Sequence, residues 1–173
     1  GVDVSERMLE RARTMTDDAA IAYERADLEV LEPAAQSVDL AYSSLAFHYV
    51  EQLERLFGAI HRALTPGGRL VFSVEHPIFT APSTPGWTVD AAGRKVWPVD
   101  GYQLEGPRTT RWLGRDVVKQ HRTIGTYVRL LIGAGFRIAH LEEWAPTAAE
   151  VEARPDWADE RQRPMFMLIA AEA

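Results

Sequence analysis

Hydrophobic and polar positions follow two periods along this chain, and the changes from one to the other mark its elements. Val2, Asp3 and Val4 read as the end of a buried strand, and Ser5 is a good N-cap for a helix whose Met8, Leu9, Ala12 and Met15 recur at helical spacing. Asp17-Asp18 breaks that helix. Ile21 to Arg25 reads as a short strand with Asp27 at its end, and Pro33 marks a loop. Val38 to Ser43 is a compact apolar strand. The next segment carries Val50, Leu53, Leu56, Phe57, Ile60 and Leu64 on one helical face and is stopped by Thr65-Pro66-Gly67-Gly68. Arg69 to Glu75, nearly continuous in apolar residues, predicts a strand buried on both faces of a parallel sheet.

Residues 76–122 break this rhythm with Pro77, Pro82, Pro85, Pro98, Pro107 and three of the five Trp, namely Trp87, Trp97 and Trp112. We read them as an inserted loop region, a lid or acceptor-binding segment, because long loops in compact domains are usually functional. Thr123 caps a last helix with Ile124, Tyr127, Val128 and Leu131 on one face, ended by Gly133-Ala134-Gly135. Phe136 to Trp144 and Met165 to Ala171 then read as two strands joined by a polar, proline-containing connection. The order is that of an α/β fold, and 173 residues with 46% hydrophobic composition suit one domain spanning 1–173 rather than two.

Charge and composition narrow the partners. A formal net charge of -6 lacks the basic excess that binding a phosphate backbone requires, so nucleic acid is not an expected partner. With no cysteine, thiolate nucleophiles and thiolate metal sites are excluded, and no metal is expected. No apolar run is long enough to span a bilayer and no signal-peptide pattern is seen, which together predict a cytoplasmic location without a membrane partner. The opening Gly1-Val2-Asp3-Val4-Ser5, with no initiator Met ahead of a strand-like stretch, reads as the cut edge of a longer chain.

Two acidic residues carry the first chemical signal. Asp3 stands at the carboxyl end of a strand, directly before a capped helix, where a carboxylate accepts hydrogen bonds from both hydroxyls of a ribose. The same residue is also favourable there in any protein, through the helix dipole. Asp27 ends the next strand in Arg25-Ala26-Asp27-Leu28, placed either to accept from an exocyclic adenine amine or to serve as a solvated turn residue.

Four strings in order then carry a family resemblance. Gly1-Val-Asp-Val-Ser-Glu-Arg-Met-Leu-Glu-Arg-Ala12 resembles the second-strand motif of class I S-adenosylmethionine-dependent methyltransferases, and Arg25-Ala26-Asp27-Leu28 the third. Val38 to Val50, with Ser43-Ser44-Leu45-Ala46-Phe47-His48-Tyr49, resembles the fourth, and Leu64-Thr65-Pro66-Gly67-Gly68-Arg69-Leu70 the junction into the fifth. The resemblance is dense over residues 1–76 and looser over 123–173, and is nearest to the small-molecule methyltransferases of the methyltransferase domain 11 type. It implies a Rossmann-like, mostly parallel sheet with an antiparallel last strand, and S-adenosylmethionine as cofactor. It further implies that Asp3 and Val4 lie at the ribose, Asp27 and Leu28 at adenine, and Ser43 and Ser44 beside the methionine part.

The departure from the family is a missing first strand and glycine-rich loop, since no G-x-G-x-x-G spacing follows a strand. A βαβ unit takes about 30 residues, so roughly that much would precede Gly1. In the family that strand lies between those ending here at Asp3 and Ser43, which implies that the isolated chain binds cofactor poorly.

The expected reaction is methyl transfer from S-adenosylmethionine to a small-molecule acceptor, driven mainly by positioning, with a base for the acceptor's proton where one is needed. His48, His76 and His121 are the candidate bases, and a structural role for each is the alternative; His61 and His140 read as surface or packing residues. Tyr49, Tyr102 and Tyr127, with the aromatic residues of the insert, are candidates to contact the acceptor. Two rival readings stand beside this one. A nicotinamide-dependent oxidoreductase would share the Asp3 role, but no Tyr is followed four residues later by Lys. A non-catalytic methyltransferase-like binding or regulatory module would need none of the catalytic groups.

Overall fold

The computed structural model describes residues 1–112 and 114–173, with Trp112 described by its backbone alone. The Trp112 side chain, grouped above with the insert's aromatics, therefore lies outside the described residues. The chain begins with strand β1 (Val2–Asp3), helix α1 (Glu6–Thr14) and strand β2 (Glu24–Arg25). Ser5 caps α1 as its sequence predicts, its side chain accepting from the Met8 N–H. β1 and β2 pair in parallel, Val2 opposite Glu24 and Asp3 opposite Arg25. The paired segment of β2 is shorter than the Ile21 to Arg25 strand expected, because Asp18 and the Thr16–Tyr23 contact hold the preceding residues in a turn.

Strands β3 (Val38–Ser44) and β4 (Leu64–Glu75), joined through helix α2 (Leu53–Ala63), form a parallel pair. The Thr65-Pro66-Gly67-Gly68 string lies within the first residues of β4, at a register irregularity between Val38 and Leu40. Glycine is required here. Gly67 has φ +78°, and a Cβ on Gly68 would stand 2.8 Å from the Thr65 carbonyl. Helix α4 (Ile124–Gly133) leads to β9 (Arg137–Glu143), and β10 (Phe166–Glu172) inserts antiparallel between β4 and β9, giving the order β3-β4-β10-β9. The last strand is thus antiparallel, as expected. The polar, proline-containing connection into it holds the short helix α5 (Ala148–Ala153) under a Thr147–Glu150 capping box and a 3₁₀ segment at Pro155–Arg161.

Helices α2 and α4 bury the face of this sheet made by Leu70, Phe72 and Val74 of β4 and Met167, Ile169 and Ala171 of β10. These residues face one another in register, so the core is a continuous layer. The expectation that β4 is buried on both faces is corrected by the structure. Only its alternate residues are fully buried, and on neighbouring strands Tyr42 and Leu168 remain exposed. Among the described residues β1 pairs only with β2 and β3 only with β4, so the ladder is interrupted between β1 and β3.

The insert is also more ordered than its composition predicts. It contains helix α3 (Pro77–Thr80), a small hairpin of β5 (Thr88–Val89) and β6 (Lys95–Val96), and a long antiparallel hairpin of β7 (Gly106–Trp112) and β8 (Arg115–His121). Period-two burial along β8, where Lys119 and His121 point inward, shows why the hairpin was hidden: its inner face is polar.

Candidate functional site

The carboxyl ends of β1, β2 and β3 open onto one cavity of about 420 Å³. Asp3, Val4, Asp27, Leu28, Ser44, Leu45 and Tyr49 are among the residues that line it, so the structure brings together most of the positions singled out for cofactor binding; Ser43 lies just outside this lining. Each acid is aimed by its own turn. Asp3 Oδ1 accepts the Ser5 N–H at 2.7 Å and Asp27 Oδ1 the Glu29 N–H at 2.9 Å. In both, Oδ2 has no protein donor among the described residues and remains an acceptor for a ligand.

The loop under the cavity is tied down by groups that the sequence did not single out. Glu29 accepts from the Glu51 and Gln52 N–H groups at the start of α2, at 2.5 and 2.9 Å. Arg55 donates to the Leu28 and Leu31 carbonyls at 2.7 and 3.0 Å, and Arg122 to those of Val50 and Glu51 at 2.7 and 2.8 Å. Leu45, at the end of β3, holds φ +54°, a left-handed conformation unusual for this residue type and of the kind that collects at functional sites.

A second cavity, of about 360 Å³, lies beyond the end of β4. Glu75, Phe79, Thr80, Pro82, Arg108, Thr110 and Lys119 line it, together with Ser83, Pro85, Thr109 and Arg111. Its floor is a buried ion pair, Lys119 Nζ to Glu75 Oε1 at 2.5 Å, with side chains 5% and 12% exposed. The Lys119 ammonium also stands 6.0 Å from the centre of the Tyr49 ring. Tyr49 lines the first cavity and Lys119 the second, so the two cavities meet at this contact. Burial and the charge of Glu75 raise the pKa of the Tyr49 phenol.

The three histidines line neither cavity, and each is committed within the fold. His48 is buried, accepts the Glu75 N–H through Nδ1 at 3.3 Å, and has its pKa lowered to about 4 by burial and by Lys119. His76 caps α3 by accepting the Ile78 N–H at 3.0 Å, and its other ring nitrogen meets Glu143 at 2.7 Å; burial lowers its pKa despite that carboxylate. His121 is fully buried between the Thr80 hydroxyl, at 2.8 Å, and the Tyr102 carbonyl, at 2.9 Å, and burial again lowers its pKa. Buried histidines at hydrogen-bonding positions and candidate bases give the same sequence signal, which is why sequence reasoning singled them out. His61 packs edge-on against Phe136, and His140 is exposed.

The candidate tyrosines separate. Tyr49 reaches the first cavity, Tyr102 packs near His121, and Tyr127 is buried in the core, its phenol pushed up to about 12 by burial. Trp87 and Trp97 likewise line neither cavity. They and Phe79 surround the guanidinium of Arg163, at 5.2, 4.3 and 4.9 Å, which anchors the β5–β6 hairpin to the C-terminal segment. Among the described residues there is no cluster of metal-ligating side chains, and no helix is long and apolar enough to cross a membrane.

Comparison with known proteins agrees with this architecture. Residues 1–72 match the family described as a methyltransferase domain. The structure is similar to that of an S-adenosylmethionine dependent methyltransferase from Mesorhizobium loti, with a TM-score of 0.96 and 56% identity over all of this chain and 79% of that one. An uncharacterized protein of Haemophilus influenzae is 32% identical over 99% of this chain and 70% of its own length. A malonyl-[acyl-carrier protein] O-methyltransferase of Methylococcus capsulatus is 36% identical over 75% of this chain, which spans only 43% of that enzyme. The parallel strand ends, the paired acids beyond them and these likenesses converge: the chain belongs to the class I S-adenosylmethionine-dependent methyltransferases.

Proposed function

We propose that this protein transfers the methyl group of S-adenosylmethionine to a small-molecule acceptor held in the second cavity, with residues 76–122 acting as the acceptor-binding insert. The single observation that carries the reading is the pairing of Asp3 and Asp27 on one cavity, each with one carboxylate oxygen that takes no hydrogen bond from protein among the described residues. That donor set fits the cofactor. Asp3 Oδ2 is an acceptor for ribose hydroxyls, Asp27 Oδ2 one for the adenine amine beside the Leu28 backbone, and Ser44 offers a hydroxyl toward the methionine part, with Ser43 behind it. When bound, S-adenosylmethionine supplies a methyl group already activated by its sulfonium.

The residues of the chain then have to bind, orient and exclude water. Tyr49 and Lys119 form the wall shared by the two cavities, and the Arg55 and Arg122 clamps fix the loops beneath it, so donor and acceptor are held on rigid supports. His48, His76 and His121, the candidate bases from the sequence, act in this reading as positioning groups, because their ring nitrogens hold Glu75, α3 and the β7–β8 hairpin in place. The likeness to a malonyl-[acyl-carrier protein] O-methyltransferase supports an oxygen acceptor of small-molecule type. Because the glycine-rich loop is missing from this chain and weak cofactor binding is expected, the test is to incubate the protein with a large excess of S-adenosylmethionine and fractionated metabolite pools and to follow S-adenosylhomocysteine by mass spectrometry. The expected result is release that depends on one fraction and is lost in Asp3→Asn; no release with any fraction contradicts the reading and favours a binding module.

A further inference from the structure

The second cavity carries more charge than its place in an acidic chain predicts. The protein has a formal net charge of -6, yet the cavity is lined by Arg108, Arg111 and Lys119 against one acid, Glu75. Glu75 is taken up by Lys119 at the floor and Asp116 stands opposite Arg111 in the hairpin, so Arg108 leaves the lining with a positive surplus. Asp100, which stands behind Ser83 and is held by its N–H and hydroxyl at 2.9 and 2.6 Å, offsets part of it. In a concave site with apolar walls such a surplus focuses the field on an anion.

The β7–β8 register shows how the positive groups are presented. Arg108 lies directly opposite Lys119, and Thr110 follows two residues along the same face of the hairpin. Arg108 is steadied by the Leu104 and Pro107 carbonyls at 2.5 and 3.2 Å. The Thr110 hydroxyl is shielded from water and has no hydrogen-bond partner among the described residues, a costly arrangement for a buried polar group that a ligand would relieve. Phe79, Pro82 and Pro85 supply the apolar part of the lining. We infer that the cavity selects an acceptor of mixed character, with an apolar body against Phe79, Pro82 and Pro85 and a carboxylate seated on Arg108 and Thr110. The inference rests on the proposed methyl-transfer reading and adds the chemical class of the acceptor to it.

Hexanoate and its neutral isostere hexanamide are suitable probes, titrated by calorimetry into the native protein and into Arg108→Gln and Thr110→Val, with S-adenosylhomocysteine titrated into the same samples. The expected result is hexanoate bound at least tenfold more tightly than hexanamide, the preference falling to near unity in Arg108→Gln and hexanoate affinity falling several-fold in Thr110→Val. If Arg108→Gln does not fold, the native preference and the Thr110→Val loss decide the matter. Equal affinity for the two probes, no hexanoate binding, or a preference that survives both substitutions overturns the inference. Weak binding of S-adenosylhomocysteine is expected without the glycine-rich loop and leaves the inference standing, whereas no binding at saturating concentration would instead count against the methyl-transfer reading.

Discussion

Replacing Lys119 by Met removes the cation from a carboxylate that has almost no access to water. With side chains 5% and 12% exposed, Glu75 cannot recover its solvation when its 2.5 Å partner is lost, and breaking such a pair costs about 3–5 kcal/mol. Loss of the ammonium near the Tyr49 ring adds about 0.5–1 kcal/mol. In a protein of this size each kcal/mol moves the midpoint by about 2–4 °C, so Lys119→Met is expected to melt roughly 10 °C lower. Adding Glu75→Gln removes the stranded charge and is expected to return at least about 2 kcal/mol, since an imperfectly bonded amide costs about 1–3 kcal/mol where a lone charge costs more. Thermal and urea melts of the native protein, the two single variants and the double variant give the cycle directly. A cost below about 1 kcal/mol for Lys119→Met, or a double variant no more stable than that single one, refutes the claim that the floor of the cavity is a desolvated pair.

Stability is also expected to depend on the buried histidines. The pKa of His48 is lowered to about 4 in the fold, so the unfolded chain binds its proton first as pH falls; stability is full above about 6.5 and is lost toward 4, by up to about 3 kcal/mol from this residue. Melting temperatures between pH 7 and 4 should therefore fall more steeply in the native protein than in His48→Asn, which keeps an acceptor for the Glu75 N–H; parallel slopes would show that His48 is not held neutral. Arg163→Met removes an ion pair with Glu160 and the cation at the centre of Phe79, Trp87 and Trp97. It is expected to cost about 2 kcal/mol and to change tryptophan emission, and an unaltered spectrum would show that the arginine does not organise the aromatic cluster.

Those parts of the fold set by local rules were legible in the sequence. Ser5 and Thr123 cap the helices they were expected to cap, because a side chain reaching an N–H three residues on depends on nothing distant. The faces of α2 and α4 were legible because helical spacing alone puts Leu53, Leu56, Phe57 and Ile60, or Tyr127 and Leu131, on one side. The β7–β8 hairpin was not, since Gly106, Pro107 and the charged residues around them give no period-two apolar signal, and its inner face is polar where it meets a cavity. The site divides in the same way. Asp3 and Asp27 could be found because strand ends are visible in the chain. The supports Arg55, Arg122, Lys119 and Glu75 bond carbonyls or charges between 24 and 72 residues away, or 44 for the ion pair, and no local pattern records such distances.

The paired acids are tested most directly by calorimetric titration of S-adenosylhomocysteine into the native protein, Asp3→Asn and Asp27→Asn. Asparagine keeps the oxygen that accepts the Ser5 or Glu29 N–H and replaces only the outward oxygen, so melting temperatures should stay within a few degrees. The account predicts about tenfold weaker binding for Asp27→Asn, the more exposed of the two, and up to about a hundredfold for Asp3→Asn, as the loss of charge-assisted hydrogen bonds worth about 1.5–3 kcal/mol implies. Binding within twofold of native in both variants would contradict it.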